Sequence, residues 1–153
     1  MKKLLLIVLL FPFFVQANEL AFKLLETNGA KEFFDKSKGQ MANVMYMTDP
    51  TLKLHSNLVK DWESNYFAWD KVRLSIAPIY TSKFSDIEIE EIINFFSMGK
   101  PASFFETDTG KKFQLLSPKI NQEFTINGHK YMSQVIPFLY QAVANAKPLK
   151  HDN

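Results

Sequence analysis

The chain has 153 residues, with 18 Lys or Arg against 16 Asp or Glu, three His, 15 Phe, five Gly and no Cys. Without cysteine it forms no disulfide and no thiolate metal site, so packing alone has to hold its core together. The near-balanced charge gives no electrostatic basis for nucleic-acid binding or for a general attraction to an anionic membrane.

The first predicted element is an export signal over residues 1–17. Lys2 and Lys3 form a positive start, Leu4 to Val15 an apolar stretch interrupted by Pro12, and Val15-Gln16-Ala17 a cleavage site. That stretch is short for a membrane span, which needs about 20 apolar residues, and no cysteine follows it to carry a lipid. Cleavage after Ala17 and a periplasmic or secreted location are therefore expected. Export also completes the charge balance, because the 16 basic residues left after Lys2 and Lys3 depart match the 16 acidic ones.

The rest reads as one all-α domain, 18–147, followed by a flexible tail, 148–153. Apolar residues recur at helical spacing almost throughout, and no alternating β-branched stretch interrupts them. About six helices are expected in a bent bundle, several kinked by proline. The first covers about 19–27, with Leu20, Leu24 and Leu25 on one face and Asn28-Gly29 as its stop. A second spans about 30–47 through a weak point at Gly39. Asp49-Pro50 reads as an N-cap with proline at the first helical position, opening a third helix that carries Leu54, Leu58 and Trp62. A fourth runs over about 68–83 with Pro78 near its end.

The fifth helix has the clearest start. Ser85 and Glu88 form a capping box, Phe84 staples onto Ile89, and Gly99 with Pro101 marks the stop. A last helix begins at Thr107 or Asp108. Its apolar period continues across Asn127-Gly128, so one long helix with weak points at Pro118, Gly128 and Pro137 is preferred. A break into two helices at 127–128 is the alternative.

Both Gly-Lys pairs fail as phosphate-binding loops, which need a glycine five positions earlier and Ser or Thr afterwards. Before Gly110-Lys111 that position is Phe105 and the next residue is Lys112. Before Gly99-Lys100 it is Asn94, and Pro101 follows.

The order of these features resembles the bacterial family called domain of unknown function 2059, small exported helical proteins. Phe84-Ser85, Glu88-Ile89, Ile92-Ile93 and Phe95-Phe96 match the first part of its signature, and Thr107-Asp108-Thr109-Gly110-Lys111-Lys112 the second. The stretches LAFKLLETNGAKEFF and WDKVRLSIAPIY resemble its N-terminal and Trp-led helices. The chain departs from the pattern by an insertion at about 97–105, after which Phe104-Phe105 would restore the aromatic contact, and by Asp108 where the family has proline. The resemblance implies a fold and export but no activity.

Candidate sites are few. His55, His129 and His151 begin no ligand pattern, and no nucleophile, metal or paired-carboxylate motif is present, so a non-enzyme without a cofactor is expected. Met41 and Met45, one helical turn apart and joined by His55, form an alternative thioether site for Cu(I) in a periplasmic metal carrier; an envelope hydrolase is the weaker alternative. Adjacent aromatics on a helix diverge by about 100°, so each pair, Phe33-Phe34 among them, either packs between several helices or leaves one ring in an exposed apolar groove. The leading expectation is a non-catalytic binding or protein-interaction module. Its ligand or partner surface would be Phe95, Phe96, Phe104 and Phe105 beside the helix start at Gly110, Lys111 and Lys112, facing a protein partner or an apolar, anionic small ligand of the cell envelope.

Overall fold

Glycines set the turns of the N-terminal half. The structure, a computed structural model, describes the backbone of residues 11–146 and the side chains of residues 19–146. The start of the predicted signal and the predicted tail lie outside the described residues. Helix α1, Phe11–Thr27, runs through the expected cleavage point and stops at Gly29, whose φ of 88° is the left-handed conformation that glycine adopts without penalty. Gly39, at φ 87°, does the same ten residues later. It splits the helix expected over 30–47 into α2, Ala30–Lys36, and α3, Gln40–Thr48.

Asp49 caps as expected, accepting from the Thr51 N–H and hydroxyl, but the turn it starts is a 3₁₀ turn, Pro50–His55. Only afterwards does α4, Ser56–Tyr66, begin. Helix α5, Trp69–Thr81, contains Pro78. Helix α6, Asp86–Ser97, opens on the predicted capping box, with the Ser85 hydroxyl accepting from the Glu88 N–H while the Glu88 carboxylate accepts from the Ser85 N–H.

The end of α6 is a Schellman motif: Lys100 N–H reaches back to the Phe95 carbonyl and Gly99 N–H to the Phe96 carbonyl. Gly99 and Lys100 both take positive φ there. A second 3₁₀ turn, Ala102–Glu106, leads to α7, Asp108–Asn145, which Thr107 caps by accepting from the Gly110 N–H. Helix α7 is continuous across Asn127-Gly128 as preferred from its apolar period, and its 38 residues correspond to about 57 Å. The described residues thus form seven α-helices and two 3₁₀ turns rather than six helices, and no strand. The additional helix comes from Gly39.

Two apolar clusters share α7. The first joins Leu24 and Leu25 of α1, Tyr80 of α5, Ile89, Ile92 and Phe95 of α6, Phe104, and Ile120 from the first half of α7. The second joins Ala42 and Met45 of α3, Leu52, Val59 and Trp62 of α4, and Val135 and Leu139 from the second half of α7.

Side-chain donors tie these elements through backbone carbonyls. The Trp62 indole N–H donates to the Val135 carbonyl at 2.8 Å, and the Asn127 amide to the Ser75 carbonyl. The Tyr131 hydroxyl donates at 2.5 Å to the carbonyl of Tyr66, the last residue of α4, where carbonyls have no helical partner.

Candidate ligand-binding site

The aromatic residues first expected to bind a ligand pack on one another. Phe95 and Phe104 are buried and stack with centroids 4.4 Å apart. Phe96 is half-buried with its edge toward Phe95 at 5.0 Å, and Phe105 is partly exposed at 5.3 Å from the same ring. Phe113 completes the cluster beside Phe104. The 3₁₀ turn over Ala102–Glu106 therefore places an aromatic ring, Phe104, in the core.

The neighbouring helix start is also occupied from within. Gly110 is buried, and a Cβ there would sit 1.8 Å from the Phe104 carbonyl oxygen, so the 3₁₀ turn rests directly on the first turn of α7. Gly110 N–H is taken by Thr107 Oγ1 and Lys111 N–H by the Thr107 carbonyl. The Lys112 ammonium lies 2.8 Å from both Glu88 carboxylate oxygens and 5.2 Å from the Phe84 ring centre. This pair, followed by the Ser85 N–H, holds the Glu88 carboxyl below its ordinary value of 4.5. Lys111 is exposed.

The methionine positions lie in and against the second cluster. Met45 is 2 % exposed inside the second cluster, Met41 is half-buried, and His55 ends the first 3₁₀ turn, also half-buried. Among the described residues, no group of three or more His, Asp or Glu side chains is placed to hold a metal ion.

The structure opens instead between the two clusters. A cavity of about 960 Å³ is lined by residues 33–46, 60–76 and 124–132, from α2, α3, α4, α5 and the middle of α7. Its wall includes Phe34, Met41, Phe67, Val72, Ile76, Phe124, Tyr131 and Met132, all half-buried. Phe34 is backed by Trp69, with ring centroids 5.6 Å apart. The Tyr131 hydroxyl is engaged at Tyr66, which leaves the ring as its contribution to the wall. Exposed lining residues mark the mouth: Phe33 at 75 % exposure, Val44, Lys38, Asn43, Lys60, Thr125 and His129.

Gly128 and Glu63 both belong to the lining. Gly128 faces the cavity from inside α7, and a Cβ there would meet nothing within 4 Å. No packing demand explains a glycine in a helix interior, where it costs about 0.5–1 kcal/mol relative to alanine. On the opposite side Glu63, the one carboxylate in the lining, is spent on structure: it accepts the Met41 N–H at 3.0 Å and so caps the start of α3.

No family model matches the chain, and neither a curated protein nor a solved structure matches it. Among the aromatic pairs flagged from the sequence, Phe33-Phe34 is the one that borders open space. Gly128 carried the other legible signal, as a helix glycine without a cap to form.

Proposed function

We propose that the chain is an exported, single-domain, non-catalytic binding module of the cell envelope that holds an apolar small molecule between its two clusters. The observation that carries this reading is the cavity of about 960 Å³ with its aromatic and aliphatic wall. That volume is at the upper end of the roughly 300–1,000 Å³ range of small-molecule sites, which are mostly apolar with a few polar groups. Gly128, exposed on the lining, extends no side chain over that space.

Export is supported by the charged, then apolar, N-terminus. Among the described residues no helix is long and apolar enough to cross a membrane. Helix α7 passing through both clusters favours one folding unit. Membership of the domain of unknown function 2059 family stays part of the proposal; it rests on the Ser85-Glu88 and Gly110-Lys111 elements and supplies no chemistry.

Native mass spectrometry of the gently purified exported chain tests the reading. A bound mass of a few hundred daltons, lost on denaturation and absent from Gly128→Leu, is the expected result. A bare chain that also takes up no alkyl probe would overturn it. Alkyl alcohols of increasing length should bind with affinity rising about fourfold per methylene, as about 0.8 kcal/mol per buried CH₂ requires, until the cavity is filled.

A further inference from the structure

The mouth of the cavity carries more positive than negative charge, although the exported chain as a whole is balanced. Lys38, in the turn between α2 and α3, and Lys60, on α4, both line it and both are exposed. Neither forms an ion pair among the described residues, a state they share with other exposed lysines such as Lys53, Lys71 and Lys111. Glu63 is the only acidic side chain in the lining, and its charge is set against the N–H of Met41 at the positive end of α3. A ligand in the apolar interior therefore meets a net positive charge where it leaves the protein, two ammonium groups against the one carboxylate of Glu63.

We infer that the ligand is an anionic amphiphile, an alkyl or acyl chain ending in a carboxylate or similar acidic head, with its tail in the cavity and its head between Lys38 and Lys60. The inference rests on the cavity being the binding site and adds the head-group chemistry. The two ammonium groups supply what an acid needs on leaving water, and the wall supplies only apolar contacts. Simple partitioning into an apolar space has the opposite preference, because an uncharged alcohol sheds its water more readily than a carboxylate. Preference for the acid is thus a signature of the charged mouth.

Calorimetric titration of the purified exported chain with dodecanoate, dodecan-1-ol and dodecyltrimethylammonium, each below its micellar or solubility limit, separates the possibilities. Dodecanoate is expected to bind at least tenfold more tightly than the alcohol, and the cationic probe most weakly. The double variant Lys38→Glu, Lys60→Glu should lose tenfold or more in dodecanoate affinity, with alcohol binding unchanged within twofold. Because both side chains are exposed and unpaired, its thermal unfolding should match the parent's. Raising the salt to 1 M should shrink the preference, since the screening length falls to about 3 Å. Equal binding of acid and alcohol, or an acid preference that survives the double substitution, overturns the head-group assignment and leaves the cavity reading standing. If none of the three probes binds, both fall together.

Discussion

At the scale of single residues, two glycines of α7 do opposite things. Gly110 lies under the Phe104 carbonyl, with no room for a methyl group, while Gly128 faces open space. Gly110→Ala must push the 3₁₀ turn off the helix, and a loss of about 2–3 kcal/mol or more is expected. Gly128→Ala should gain about 0.5–1 kcal/mol from helix propensity. Denaturant unfolding of the two variants checks both signs at once. A third residue makes stability depend on pH. The Glu88 carboxyl is held low first by Lys112 and then by the Ser85 N–H, so the ionised form belongs to the folded chain. A lowered carboxyl gives stability that is present above its unfolded value of 4.5 and disappears as the pH falls through the folded value. Glu88→Gln keeps an oxygen for the cap but removes the charge, and should cost about 0.5–1 kcal/mol at neutral pH, because the partly exposed ion pair is screened. The gap between variant and parent should narrow as the pH falls below 4.5 and then through the lower folded value, beneath which both side chains are neutral. An unchanged gap at low pH would show that the ionised carboxylate is not what holds the helix start.

Elements whose signals were local were legible from the chain alone. The Ser85-Glu88 box and the stops at Gly29 and Gly99 each depend on residues within a few positions, and all appear where spacing placed them. The long α7 was equally readable because its apolar period ignores Asn127-Gly128. Gly39 was underestimated: a helix interior tolerates a glycine at modest cost, and only its left-handed φ shows that the chain turns there. The 3₁₀ turn after Asp49 was missed for a similar reason, since a proline after a cap suits either helix type. What no local pattern contains is the pairing of Trp62 with the Val135 carbonyl or of Asn127 with the Ser75 carbonyl, separated by 73 and 52 positions. In an Asn-Gly pair the amide suggested a turn, yet here it serves a neighbouring helix. Trp62→Phe, which keeps the ring bulk but removes the N–H from a buried carbonyl, should lower stability by about 1–3 kcal/mol. Calorimetric unfolding would show it, and a neutral effect would mean that the carbonyl finds another donor.

The cavity belongs to the whole molecule. Its wall comes from three stretches far apart in sequence, 33–46, 60–76 and 124–132, so no local pattern in the chain contains it. The helix that borders the cavity at residues 33–34 is held less firmly than the one remote from it. Helix α2 buries none of its residues fully, whereas α6 buries Ile89, Ile92, Ile93 and Phe95. Few buried contacts mean a low free energy of local opening, so backbone amides of α2 and the start of α3 should exchange with solvent much faster than those of α6. A ligand seated in the cavity touches that weaker helix and requires it closed. At a ligand concentration of about 100 times Kd, binding adds about 2.7 kcal/mol to any opening that destroys the site. Amides of residues 30–46 should then slow by up to about a hundredfold on saturation with a bound alkyl acid. Amides of α6 that exchange through small local openings should keep their rates, because those openings leave the cavity whole. Hydrogen exchange read by mass spectrometry resolves the two regions in one experiment. Protection confined to α6 and the start of α7 would place the ligand at the Phe95-Phe104 cluster instead; protection of α2 and α3 ties it to the space that Gly128 leaves open.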